Sequence, residues 1–177
     1  MKKETVNSKE WIAESLFKIM ERKKYNGISI TEIAEKAGVD RRTFYRHFKS
    51  KEDVITYKIR ELSKEYEKVL LSKKSFKTQA TLLSFFQICE KQKHILLCLY
   101  KNELLPLLLK DFEKFGHILH LKYTDINELE KSENIKYVLA YHLGGLWNVL
   151  NKWLSEGSNK TPQELTMILS SILPESI

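Results

Sequence analysis

The stretch over residues 29–51, SITEIAEKAGVDRRTFYRHFKSK, constrains this chain more than any other part of it. Ser29 and Glu32 have the spacing of a capping box, in which each side chain satisfies the other residue's backbone N–H. A helix therefore opens here, with Ile30, Ile33, Ala34 and Ala37 on its inner face. Gly38 stops it, because the tight turn needs a positive φ that glycine adopts without strain. Asp40 caps the next helix, expected over 41–48. Two short helices joined by so short a turn must cross at a steep angle. The crossing needs a small residue, and Ala34 supplies it. The inward positions must be apolar, and Ile33, Ala37, Val39, Phe44 and Phe48 are. Left facing outward on the second helix are Arg41, Arg42, Thr43, Tyr45, Arg46 and His47, all of which form hydrogen bonds. Such a helix is suited to the major groove of DNA.

Charge points the same way. Residues 1–60 hold fifteen Lys/Arg against nine Asp/Glu, and residues 61–177 hold fifteen against fourteen. Nearly all of the net +7 thus sits in the first third. A basic segment on a neutral body is the footprint of phosphate binding. A solvated basic face would carry the same charge, so the agreement between charge and packing pattern carries the argument.

The rest of the chain reads as helix. Only six Gly and three Pro interrupt it, and apolar residues recur at helical spacing nearly everywhere. The expected fold is all-α with about nine helices. A first helix starts at Ser8, with Trp11, Ile12, Leu16, Ile19 and Met20 as its stripe, and ends near Lys23 and Lys24. Ser50 and Asp53 repeat the capping pattern and open a fourth helix that runs to about Leu71 and links two domains. The division is 1–52 for the helix-turn-helix DNA-binding domain and 53–177 for a helical regulatory and dimerisation domain. Further helices are expected over 75–93, 94–100, 103–123 and 133–156. A last one opens at Thr161-Pro162-Gln163-Glu164, with a cap, Pro at the first turn and Glu three residues on.

Several function classes fall away. No apolar run reaches membrane-spanning length, and the charged start is not followed by an apolar signal segment. Cys89 and Cys98 read as buried thiols of a reduced, cytoplasmic protein. No Cys/His set has zinc spacing, and His117 with His120 reads as a surface pair, so neither metal nor cofactor is expected. No nucleophile–base pair, phosphate loop or paired carboxylates stand out, which argues against an enzyme.

The run Ile33-Ala34, Ala37-Gly38-Val39, Thr43-Phe44-Tyr45, His47-Phe48 and Ser50-Lys51-Glu52 resembles the DNA-binding domain of TetR-family transcriptional regulators, over about residues 8–57. The resemblance implies a three-helix head, a linking fourth helix, and a C-terminal domain that dimerises and often binds a small effector. It also implies repression of target genes until that effector binds. Gly144-Gly145-Leu146-Trp147, Trp153-Leu154 and Thr161-Pro162-Gln163-Glu164 carry a weaker similarity. It is to the subgroup that includes dihydroxyacetone-kinase regulators, in which the partner can be another protein. The alternative it opens is a regulator or activator whose C-terminal domain docks a protein co-regulator.

Roles follow for single residues. Arg41 and Arg42 open the recognition helix, where an arginine can grip guanine O6 and N7 and add ~1–3 kcal/mol of discrimination. Arg46 reaches a base or a phosphate. Thr43, Tyr45 and His47 hold phosphates, as matching positions do in the family. Lys51 and the N–H groups at the start of the fourth helix form a phosphate clamp. Ser29 and Thr31 face the neighbouring backbone, although Ser29 serves equally as a cap.

Two such heads related by a two-fold axis read palindromic double-stranded DNA, with half-sites ~34 Å apart or a multiple of that. Leu139, His142, Leu146, Val149, Leu150 and Trp153 offer a homodimer stripe, continued by Leu165, Ile168, Leu169 and Ile172 on the last helix. Gly144 and Gly145 sit mid-helix at ~1 kcal/mol each relative to alanine, which suggests close helix approach. Phe85, Phe86, Cys89, Leu97, Tyr100, Leu108, Phe112, Tyr141 and Trp147 are candidates for a pocket, and any effector there is a small apolar one. A stripe of that kind is more often core than pocket.

Overall fold

The computed structural model describes residues 2–72, 78–109 and 135–172, and the described residues form eight α-helices and no strand. Helix α1 spans Lys2–Met20 and so starts well before Ser8. It buries Ile12, Ala13, Leu16, Phe17 and Met20, whereas Trp11 is 49% exposed. Trp11 is out of phase: it sits about 100° around the helix from Ile12, on the flank of the buried stripe. A single 3-10 turn, Tyr25–Gly27, leads to α2, Ile30–Lys36.

The capping box is closed in both directions. Glu32 N–H donates to Ser29 Oγ at 3.2 Å, and Ser29 N–H donates to Glu32 Oε2 at 2.8 Å. Gly38 has φ +67°. Around it Val39 N–H reaches Ala34 O at 3.0 Å and Gly38 N–H reaches Glu35 O at 3.1 Å. That pair of bonds is a Schellman stop, and it satisfies carbonyls the ended helix leaves open. Asp40 Oδ1 accepts from Thr43 N–H at 2.6 Å and opens α3, Arg41–His47. Phe48 has extended backbone, so α3 ends one residue short of the expected span.

Helix α4 spans Lys51–Ser72. Val54, Ile55 and Ile59, in its first half, belong to the buried core together with α1 residues. Glu10 of α1 is tied to it by Lys58 Nζ at 2.5 Å and Tyr57 Oη at 3.0 Å. Its second half turns Leu62 and Tyr66 inward, and α4 packs on α5, Thr78–Lys91. Helix α6, Lys93–Lys101, follows α5 with one intervening residue. A 3-10 turn, Leu105–Leu108, stands where the helix expected over 103–123 was to begin, and most of that span lies outside the described residues. Helix α7 spans Ile135–Ser155 and α8 spans Pro162–Ser170, opened by a second complete capping box between Thr161 and Glu164. Helix α5 makes its largest contact with α8, and α6 packs on α7. Both cysteines are buried free thiols, and burial pushes both up, Cys98 to about 11. Among the described residues no helix is long and apolar enough to cross a membrane.

Candidate nucleic-acid interface

Helix α3 divides cleanly into two sides. Phe44 is fully buried and Phe48 nearly so, in one core with Ile33 and Ala34 of α2 and Ile12 and Leu16 of α1. Because those side chains are locked, the opposite side of α3 is held outward. Arg41, Arg42, Tyr45 and Arg46 are exposed there, and Tyr45 stands edge-on against Phe44 at 5.6 Å between ring centres. The Arg41 guanidinium lies 6.0 Å from the Tyr45 ring centre. Among the described residues no carboxylate forms an ion pair with Arg41, Arg42 or Arg46. The nearest opposing charge is the capping Asp40, whose carboxyl Arg46 and Arg42 help to lower without an ion pair, so the guanidinium groups stay open to solvent, which suits a surface that meets phosphates and guanine edges.

Thr43 is partly buried and its N–H is taken by Asp40. His47 is partly buried with Nε2 enclosed and without a hydrogen-bond partner. Burial, then the Arg46 and Lys9 charges, lower its pKa, so it stands neutral beside a basic face. Ser29 is exposed and accepts from Glu32 N–H, and Thr31 is exposed in the first turn of α2. Lys23 Nζ pairs with Glu32 at 2.6 Å, and this bond, with those from Ser29, pulls the Glu32 carboxyl down to about 2.

Lys51 points inward. Its Nζ donates to Tyr25 O at 2.8 Å and Ile28 O at 3.1 Å, with Asn26 O at 3.5 Å, and lies 4.4 Å from the Tyr25 ring centre. Tyr25 itself was not among the residues singled out from the sequence. It is 6% exposed, its hydroxyl donates to Glu52 Oε1 at 2.8 Å, and its N–H donates to Asn102 Oδ1 at 2.8 Å. Burial, then Glu52, raise its pKa far above the ordinary phenol value. The one sequence signal for it is an aromatic residue directly before the Asn26-Gly27 turn.

The head also meets α6 along one helical face. His94 Nε2 lies 2.6 Å from Glu21 Oε1, Cys98 Sγ donates to Phe17 O at 3.8 Å, and Lys24 Nζ donates to Lys101 O at 2.8 Å. Asn102, donating to Cys98 O at 2.9 Å, completes the row.

Residues 12–57 match the family described as bacterial regulatory proteins, tetR family, and residues 77–175 match a transcriptional regulator C-terminal region. The chain belongs to the TetR family. It is therefore a DNA-binding transcriptional regulator and not an enzyme. Solved structures share the fold of this TetR-family chain. The fatty acid degradation regulator FadR from Bacillus halodurans superposes with a TM-score of 0.71 at 15% identity, over 93% of each chain. A tetR-family regulator from Streptomyces coelicolor gives 0.66 at 18%, over 91% of this chain and 78% of that one. The dihydroxyacetone kinase operon activator DhaS gives 0.58 at 17%, over 93% of each. No curated protein matches the chain.

In the C-terminal half of this TetR-family regulator an apolar cavity of about 60 Å³ lies among α4, α5, α6 and α7. Phe85, Cys89, Leu108 and Trp147 line it, as do Leu62 and Tyr66 of α4, which were not expected there. Phe86 is buried elsewhere in the core, and Leu97 and Tyr100 are partly buried away from the cavity. Tyr141 is 74% exposed, and Phe112 lies outside the described residues.

The expected dimer stripe is divided as well. Leu150, Trp153 and Leu165 lie in the chain's own core, with Leu150 lining the cavity and Trp153 Nε1 donating to Lys160 O at 2.9 Å. Helical spacing shows which residues share a face, but here that face is consumed within the subunit. His142, Leu146, Val149 and Leu169 are partly buried, Ile168 and Ile172 are exposed, and the side chain of Leu139 lies outside the described residues. A Cβ built on Gly144 or Gly145 meets nothing within 4 Å, so the close approach expected there is not made among the described residues.

Proposed function

We propose that this regulator is a repressor that works as a homodimer on a palindromic operator and releases DNA when an apolar effector occupies its C-terminal domain. The observation that carries the reading is the outer side of α3. Three exposed arginines stand there with no ion pair among the described residues, on a short helix whose other side is fixed in the core. In this reading Arg41 and Arg42 contact base edges and Arg46 a base or phosphate. Thr43, Tyr45 and His47 contact the backbone from α3, and Thr31 contacts it from α2, beside the capping Ser29. A second copy supplies the other half-site. Tyr137, Tyr141, Met167, Ile168 and Ile172, exposed on and just beyond α7 and α8, support that pairing, because monomers rarely leave so much apolar surface in water. The apolar lining between α4 and α7 supports an apolar effector, and FadR, described as a fatty acid degradation regulator, has the same fold. The effector shifts the operator-bound population only by its preference for the head spacing that does not fit DNA.

A second reading replaces the effector by a protein co-regulator. The cavity favours it, being far smaller than the ~300–1,000 Å³ of ordinary ligand sites. DhaS, described as an operon activator, is a relative of the same fold.

Selection of DNA sites from a random pool at fixed salt, with wild type and Arg41→Ala, tests the core of the proposal. The expected result is a palindrome with half-sites ~34 Å apart or a multiple, relaxed at one symmetric position in the variant. An unstructured or single-half motif refutes the dimeric reading, and an unchanged motif in the variant refutes the role given to Arg41.

A further inference from the structure

We propose that Lys51 is a positioning residue of the head, which holds the turn between α1 and α2 against the start of α4 and makes no phosphate contact. It rests on the DNA-binding role of the head and on neither the repressor nor the effector reading. An ammonium has three N–H donors and no acceptor. Three carbonyls, those of Tyr25, Asn26 and Ile28, surround the Lys51 Nζ at 2.8, 3.5 and 3.1 Å. The Tyr25 ring covers it at 4.4 Å. Two donors are taken at ordinary hydrogen-bond length and the third is turned toward Asn26 O at the limit of one, so a phosphate would have to draw the ammonium out of this cluster.

The carbonyls are well chosen for positioning. Ile28 directly precedes Ser29, the cap of α2, so holding the Ile28 carbonyl sets where α2 begins and where Thr31 stands. Tyr25 is in turn fixed by Glu52 through its hydroxyl and by Asn102 through its N–H. Lysine suits this place because its ammonium is compact. The planar fork of arginine is shaped for paired oxygens and not for three converging carbonyls.

The salt dependence of DNA affinity separates the two roles. Each phosphate neutralised by a lysine adds ~0.9 to the slope of log K against log salt. For Lys51→Met on the selected operator, affinity should fall by about tenfold at every salt concentration, with the slope unchanged. A slope reduced by ~0.9 overturns the proposal, and so does unchanged affinity. A second measurement needs only the wild-type chain: acetylation of lysines, read by mass spectrometry, with and without operator DNA. Lys51 should react more slowly than exposed Lys49 in the free protein and gain no further protection from DNA. A Lys51 as reactive as Lys49 that becomes protected only by DNA refutes the assignment.

Discussion

Replacing Gly38 by alanine isolates a single physical term. Gly38 has φ +67° at the stop of α2, and a Cβ built on it meets no atom of the described residues within 4 Å. The substitution therefore adds no clash. What it adds is the intrinsic cost of a left-handed conformation, ~1–2 kcal/mol for an L-residue. Alanine also narrows the unfolded ensemble, which offsets ~0.4–1 kcal/mol of that. The net expectation is a loss of ~1 kcal/mol. Urea unfolding at fixed protein concentration reads it as a lower midpoint with unchanged slope. Gly38→Asn should lose less, because asparagine visits this region more readily, and Gly38→Val should lose more. D-alanine, introduced by chemical ligation, should stabilise the chain. The operator preference of the alanine variant should be that of wild type, since the turn keeps its shape. A loss above ~3 kcal/mol would mean a steric conflict that the open space denies. A gain in stability, or asparagine no better than valine, would mean that the turn is not left-handed, and the reasoning would fail.

Three further substitutions probe the head and its tie to α4. Phe44→Ala, at a position with no exposure, should lose ~3–5 kcal/mol. Tyr45→Ala, next to it and half exposed, should change stability by less than ~0.5 kcal/mol while weakening operator binding in an anisotropy titration. Burial alone would raise the Glu10 carboxyl, but the bonds from Lys58 and Tyr57 outweigh it and hold the group below its ordinary 4.5. A carboxyl depressed in the folded state stabilises above its unfolded value and loses that contribution as pH falls. The Tm advantage of wild type over Lys58→Met should therefore be full at neutral pH and shrink below about pH 4.5, and a gap that widens on acidification contradicts the pairing.

The head was legible because its signals are local. The capping box at Ser29 and Glu32, the stop at Gly38, the cap at Asp40 and the second box at Thr161 and Glu164 all involve residues within five positions of one another. Their chemistry dictates backbone shape without reference to the rest of the fold. Placement of longer-range contacts was not legible in the same way. Helical periods mark Leu150 and Trp153 on one helix and Leu165 on the next as apolar stripes, yet they cannot say whether the neighbour is the same chain or another copy. In this chain Leu150, Trp153 and Leu165 face inward. Lys51 makes the point most sharply. Its motif position puts it beside the DNA-facing elements, but the three carbonyls that occupy its ammonium come from residues 23 to 26 positions earlier. Their convergence depends on how α1 packs against α4, which no spacing rule encodes.

The contact between the head and α6 constrains how the C-terminal domain could control DNA binding. It combines a histidine–carboxylate contact at Glu21, carbonyl acceptors at Phe17 and Lys101, and the Asn102 side chain under Tyr25. Each of these is worth ~0.5–1.5 kcal/mol, and the exposed His94–Glu21 pair is screened toward the low end. Their sum is a few kcal/mol, comparable with the ~1–3 kcal/mol by which effectors couple to distant sites. A row of contacts this weak can be exchanged for water when α6 shifts, while the apolar core behind Phe44 and Phe48 stays closed. The Leu96 side of the same helix lines the cavity. One helix thus touches both the apolar space and the turn that Lys51 secures. A shift of that helix would disturb Asn102 on Tyr25 and Cys98 on Phe17 together, so the turn before α2 and the α1 helix that packs on α3 would both feel it.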